Sequence, residues 1–475
     1  MASLPLIFWH TSSGDFATAS NWNGGVVPGP ADEAVLANGT KNIVTSSADE
    51  TVAGLEVSST LELLAGTFSI TSFTDNANNI TVDDGASLDI AGTFYNPGTI
   101  DLDAVSTGAD LVFSGGVILQ EKGKIVLSDT SSANTISGTG TLENDRNTIS
   151  GSGTIGDGLS MITNDNKSTI DASYDKKTTL FGLTINSDLT NGGAIESQNP
   201  FGLVLQGITV TNSMPHPTGT QVYEGSITAL GKGLIELNGT TIDGGTVSVS
   251  GSGQLWAIGG VTSTITGAAT SNAGVLAAES GDLTIDGNLS SSGTLSALSG
   301  YVLEVTGNVS GGNGTIAGSG EIKFDGQATT KVTFESGATG ILDLMEPSRF
   351  TGTVAGLNTG GFVDLENIPY ANVTSVTYSS SKHVVTVVDQ TDNITDTIKI
   401  AGTAGTFTPS LATDGSTLIS DPPASPASVP NNVAQLLVQS IASFGATTGV
   451  VPSGAASLAE NNKSSEFLAA NSHHG

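Results

Sequence analysis

Apolar residues in this chain return every 20 positions, and that return limits what the chain can fold into. In "GDLTIDGNL" and "YVLEVTGNV", Leu283 and Leu303, Ile285 and Val305, Gly287 and Gly307, and Asn288 and Asn308 each stand 20 residues apart. The segments "SNAGVLAA", "SSSGTLSA" and "GGNGTIAG" set Leu276, Leu295 and Ile316 at intervals of 19 and 21. Upstream, "FGLTI" at 181 and "FGLVL" at 201 repeat the spacing, "TNGGAIES" is echoed by "TNS…EGSITA", and shorter echoes occur as "ISGTGTL" at 136 and "ISGSGTI" at 149. Each repeat reads as two or three short strands of alternating apolar and polar residues, separated by Gly, Asn and Ser turns. A unit this small cannot bury its apolar side alone, so the units must stack on one another. The prediction is an all-β, right-handed parallel β-helix over 51–365, with about 20 residues per rung, capped ends and a short C-terminal helix. With rungs at the inter-strand spacing of about 4.8 Å, about 15 of them make a rod on the order of 70 Å long. Leu295, Val302, Val305 and Ile316 are expected to point inward, with Gly and Ser at the corners.

Composition agrees with a stacked rod. A length of 475 residues ordinarily implies several packed domains, but 62 glycines and 5% aromatics do not suit them, while 37% hydrophobic residues argue against general disorder. Acidic residues outnumber basic ones 45 to 14, for a net charge of −31. Such a chain repels nucleic acid and anionic membranes and attracts Ca²⁺ or basic partners. Ca²⁺ is therefore the only cofactor the composition invites, and no recognised calcium motif is present. Cysteine is absent, which removes disulfides, thiolate metal sites and a Cys nucleophile. The opening "MASLPLIFWHTSSG" lacks a basic n-region and reads as a poor secretory signal. No stretch reaches the roughly 18 apolar residues of a membrane helix.

An unpaired terminal rung templates aggregation, so both ends require caps. Residues 1–50 are the N-terminal cap, where "GDFATASNWNGGVVPGPADEAVL" concentrates Phe16, Trp22, Pro28 and Asp32. Trp22 has two readings there: an indole covering the first rung, which is favoured, or an aromatic sugar platform. This segment resembles the one that opens β-helical passenger regions of bacterial surface and autotransporter-like proteins. Downstream, "GSGEIKF…VTFESGATGILDLMEPSRFTGTVAGLNTGGFVDLENI", "GTFTPSLATDGSTLISDPP" and "VAQLLVQSIASFGA" resemble large repetitive secreted proteins of alphaproteobacteria, of the rhizobial and methylobacterial type. The resemblance implies a secreted or surface-associated β-helical protein. It departs from typical autotransporters in having no sequence that reads as a terminal membrane barrel.

Residues 366–420 break the rhythm: "SVTYSSSKHVVTVVDQTDNITDTIKIAG" reads as a hairpin turning near Asp389 to Asn393 and closing the C-terminal end. Residues 421–475 comprise a Pro-rich linker, an amphipathic helix from Asn432 to Phe444 and a polar tail. Together they are expected to act as an export address read by a secretion apparatus.

Searches for catalytic motifs fail: no P-loop, HExxH, GxSxG or dinucleotide fingerprint is present. Paired carboxylates for glycoside hydrolysis could come from Asp83, Asp84, Asp89, Asp101 and Asp103, although such acids are ordinarily solvated outward residues. An insertion around "SMPHPTGTQVY", residues 213–223, lengthens one repeat and offers His216 and Tyr223 as a ligand or partner loop. His473 and His474 have no fixed geometry for a metal. Two functions follow. The favoured one is a non-enzymatic, adhesin-like rod, extracellular or on the cell surface, meeting a polysaccharide or cell-surface partner and exported by a one-step, type I-like route. The alternative is a polysaccharide-acting hydrolase or lyase on the same scaffold.

Overall fold

The computed structural model describes residues 4–37, 39, 41–173, 181–216, 219, 221–357, 360–402 and 405–421. The linker, helix and tail read from the sequence beyond Asp421 lie outside the described residues, as do His473 and His474. What is described is a parallel β-solenoid of about 16 turns. Its helical content is four single 3₁₀ turns, such as Ala19–Asn21 and Pro347–Arg349. Among the described residues, no helix is long and apolar enough to cross a membrane.

Each rung of the rod's middle part has three strands, one on each of three faces. Gln254–Ile258 lies on face one, Ser263–Thr266 on face two and Ala269–Asn272 on face three. The next rung repeats them as Val275–Ala278, Leu283–Asp286 and Leu289–Ser291. Nearer the N-terminus the first two faces are continuous. The strands Glu50–Val57, Gly66–Asn76, Ala86–Tyr95 and Ala109–Gln120 each run through the corner, with a register slip between the first two and between the last two and an unbroken register between the middle two. Such bulges bend a strand without ending it.

Alternation places every second residue inside, and parallel pairing puts like over like. On face three, Ile80, Ile100, Ile125, Ile149, Ile170, Ile195 and Ile227 stand directly above one another and are all fully buried. Burying one such side chain contributes about 1.5–3 kcal/mol, so this single column supplies much of the force that holds the face together. The expected pairs Leu283 with Leu303 and Ile285 with Val305 are in register and buried, and Leu183 sits under Leu203.

One of the expected interior positions needs correction, while Leu295, Val305 and Ile316 are buried as expected. Val302 faces outward and Leu303 inward, because residues three apart on a strand cannot share a side. Ile316 stands over Ala297, while the position above Leu295 belongs to Gly314. A side chain at Gly314 would meet Val332 at 3.1 Å and Ile322 at 3.2 Å, so neighbouring branches already fill that space. The echo at 136 and 149 is no rung repeat: Ile136 lies on face one, over Ile155, and Ile149 on face three.

The corner between faces two and three is lined inside by asparagine. The Nδ2 of Asn144 donates to Oδ1 of Asn164 at 3.0 Å, Asn164 to Asn191 at 2.8 Å and Asn191 to Asn212 at 2.8 Å. A second run links Asn76 to Asn96 at 2.9 Å and Asn96 to Asn147 at 3.1 Å. All are fully buried. Most also donate to a backbone carbonyl of a neighbouring rung, as Asn191 does to Ser226 at 3.3 Å. Stacked amides satisfy one another as the backbone of a parallel sheet does, so these asparagines occupy the interior with their side-chain donors met. Asn288 and Asn308 form a separate, exposed stack, with the Asn308 N–H donating to Asn288 Oδ1 at 2.8 Å.

Strand pairing begins at Leu6–Phe8, which runs parallel to Glu33–Leu36. The open end of the interior is filled by aromatic rings. Phe16, Trp22 and Phe68 pack edge to face at 4.8–5.0 Å, and Trp9 meets Trp22 at 5.1 Å. Trp22 is 1% exposed and its indole N–H donates to the Phe16 carbonyl at 2.7 Å. At the other end, Phe362–Leu365 is the last strand of face two. Its free edge is taken antiparallel by Thr417–Ser420, which pairs in turn with Thr408–Leu411. Between them Val373–Ser379, Val384–Asp389 and Ile394–Lys399 form a three-stranded antiparallel sheet.

Candidate functional site

The insertion at 213–223 is a two-stranded hairpin, Ser213–Pro215 against Val222–Glu224, standing at the corner between faces two and three. It costs the stack nothing, since Ile195 and Ile227 still pair across it. Its base is closed by the Gly225 N–H donating to the Asn212 carbonyl at 3.0 Å. A Cβ at Gly225 would stand 2.2 Å from the Asn191 carbonyl oxygen, so only glycine lets the chain pass there. The rings of His216 and Tyr223 pack together at 4.7 Å. Tyr223, Met214 and Pro215 form one wall of an open groove of about 370 Å³, and Glu143, Arg146 and Lys167 stand on the other. The groove is thus apolar on one side and charged on the other. Burial, followed by the charges of Asp165 and Asp145, pushes the Glu143 carboxyl up. His216 is not part of the lining.

The acids singled out from the sequence separate into different roles. Asp83 and Asp103 are register partners on the outside of face three, with Asp101 one alternation away. Burial raises Asp83 and Asp101, and the Asp103 charge adds to both. Asp89 is on face one, where it accepts a hydrogen bond from Ser87 at 2.7 Å. Asp84 has a purely structural task. It accepts the backbone N–H groups of Val105, Ser106, Thr107 and Gly108 at 2.7–3.2 Å, and the hydroxyls of Ser106 and Thr107. That nest of donors holds its carboxyl far below the usual carboxylate range. Trp22, sealed under the first rungs, cannot serve as a sugar platform.

Two acidic groupings escaped sequence reasoning. Asp171 stands over Glu196 on face three, and burial, with the Glu196 charge, pushes Asp171 up to about 6. Asp343 stands over Asp364 on face two, near Glu366 and Asp414, and burial, with the Glu366 charge, pushes Asp343 up to about 8. The signal for both was available as outward residues one rung apart, but it becomes visible only when the register is known.

Beyond Glu196 the same outward column of face three changes to hydroxyls: Thr228, Ser248, Ser271, Ser290 and Ser310. Two shallow troughs of about 580 and 220 Å³ flank Ser271 and Ser290. At the rung spacing of about 4.8 Å, this surface presents a regular row of hydroxyl donors and acceptors next to the Asp171–Glu196 carboxylate pair. No family model matches the sequence, and no curated protein matches it either.

Proposed function

We propose that this protein is a non-enzymatic, adhesin-like rod, working outside the cell or on its surface as a spacer and display scaffold. The observation that supports it best is the outer surface of face three. From Ser150 to Ser310 it carries an unbroken column of hydroxyl and carboxyl side chains, rung after rung, on a scaffold whose interior is lined by stacked apolar and amide groups. A row of that kind suits repeated, individually weak contacts with a hydroxyl-rich polymer, where affinity comes from the number of contacts. The hairpin groove at Tyr223 and Met214 adds one amphipathic position for a partner. Residues 421–475 are assigned as the export address of a one-step route. An acidic, cysteine-free chain suits that route because self-repulsion delays collapse.

The test is retention and cleavage of a panel of plant and bacterial polysaccharides by the purified chain. Retention without cleavage is expected, weakened when Ser248, Ser271 and Ser290 are replaced by lysine. Release of reducing ends would reverse the reading in favour of a hydrolase, with Asp171 and Glu196 as the first pair to replace. The export assignment is tested by deleting 422–475: a folded chain retained in the cytoplasm is expected, and normal secretion would overturn the assignment.

A further inference from the structure

We infer that Asp364, Glu366 and Asp414 form a divalent-cation site of the calcium class, with Asp343 beside it, that fastens the antiparallel cap to the last parallel rung. This goes beyond the display reading and does not depend on it. One carboxylate oxygen from each of the three residues lies within 4.8 Å of the others. Two oxygens held by one Ca²⁺ at about 2.4 Å can be at most about 4.8 Å apart, so these separations are compatible with one ion shared by all three.

The three ligands come from two segments far apart in the chain. Asp364 is in the last strand of face two, Glu366 directly follows that strand, and Asp414 is in the turn that joins Thr408–Leu411 to Thr417–Ser420. The Ser416 hydroxyl lies 2.6 Å from Asp364 Oδ1 and 2.8 Å from Asp414 Oδ1 and can donate its one proton to either, which leaves the other carboxylate beside it without that donor. Like charges gathered in this way repel unless something between them is positive.

Acids often gather on a surface with no ion between them, and Asp343 is what distinguishes this cluster. It is in register with Asp364, with its side chain on the same outward side, since Leu342, Leu344, Val363 and Leu365 all point inward. Asp343 is only 6% exposed, and its Oδ1 is sealed from solvent with no hydrogen-bond partner. A buried carboxylate oxygen with nothing to accept is costly, and a cation or its bound water on the Asp364 side would supply what it lacks. On its other side stands Lys323, whose ammonium is engaged with Glu304 at 3.2 Å.

The chemistry of the donors selects the ion. All are hard carboxylate oxygens, with no imidazole in the set and no thiolate in the chain, which disfavours zinc. Three carboxylates from two segments do not suit Mg²⁺, which demands near-ideal octahedral geometry and keeps most of its waters, but they match the larger and more tolerant Ca²⁺.

The experiment is calorimetric titration of CaCl₂ into the purified full chain at neutral pH, alongside Asp414→Asn, Asp364→Asn and the double variant Asp83→Asn/Asp103→Asn. Asp414 lies on an exposed turn, so its variant keeps the fold, which circular dichroism checks. One saturable site is expected in the parent and the double variant, weakened at least tenfold by Asp414→Asn and by Asp364→Asn. Amide exchange over Thr417–Ser420 should slow on adding CaCl₂ in the parent and not in Asp414→Asn. Absence of saturable binding, undiminished binding by Asp414→Asn, or tighter binding of MgCl₂ than of CaCl₂ would each overturn the inference.

Discussion

Asn191 shows how the interior tolerates polarity. It donates to Asn212 and Ser226 and accepts from Asn164 and from the Gly193 N–H at 3.2 Å. Asn191→Ala would therefore strand partners on both neighbouring rungs. Leaving a buried polar group unpaired costs about 1–3 kcal/mol, so a loss of about 2–4 kcal/mol in denaturant unfolding is expected, well above that of a surface substitution. Acidic residues give the pH profile. The folded-state pKa of Asp171 lies above its unfolded value, so between about pH 4 and pH 6 the native state binds the extra proton and stability falls as pH rises. Asp84 acts in the opposite sense: its depressed pKa contributes stability above the usual carboxylate range that is lost as pH falls through it. The melting temperature should be higher at pH 5 than at pH 7.5 and should drop again in strong acid. Asp171→Asn should flatten the limb between about pH 4 and pH 6, and an unchanged slope there would count against the assignment.

At the scale of the element, the rung was legible and the corner was not. The spacing of Leu283 and Leu303 could be read directly, because interior apolar residues on a parallel stack must recur at the rung length. The asparagine stack could not, since asparagine is also the ordinary residue of exposed turns and a single sequence does not separate the two. Its signal was present as Asn-x-Gly, in Asn96 with Gly98, Asn191 with Gly193 and Asn272 with Gly274. The glycine is needed because the amide and carbonyls of the rung below fill the space beside it, as at Gly193, where a Cβ would meet Ser168 O at 2.4 Å. The acid pairs were hidden for another reason: their partners are 21–25 residues apart, and a slip of one residue in register moves a side chain to the opposite side. The hairpin at 213–224 is an ornament on this lattice. Replacing it with a short turn should leave stability within about 0.5 kcal/mol, because Ile195 and Ile227 keep their pairing. A larger loss in thermal melting would mean that Tyr223 and Met214 support the stack.

For the whole molecule, what matters is that the strands of a parallel rung pair with those of the rung before and the rung after, through bonds that lie along the rod's axis. Side-chain links that skip a rung, such as Asn96 to Asn147, are an exception. Pulled by its two ends, such a rod peels instead of shearing, and it gives way one turn at a time. Each turn set free releases about 20 residues, or about 70 Å of slack at about 3.4 Å per residue. A single-molecule pulling trace should therefore be a regular sawtooth with that tooth width. One tooth should be broader, at about 110 Å, where the hairpin stretches the spacing between Ile195 and Ile227 to 32 residues. A single abrupt rupture of the entire rod would contradict nearest-neighbour stacking. If the sawtooth appears, the protein is a graded extensible tether: it lengthens by yielding a rung and keeps the remaining rungs folded under load.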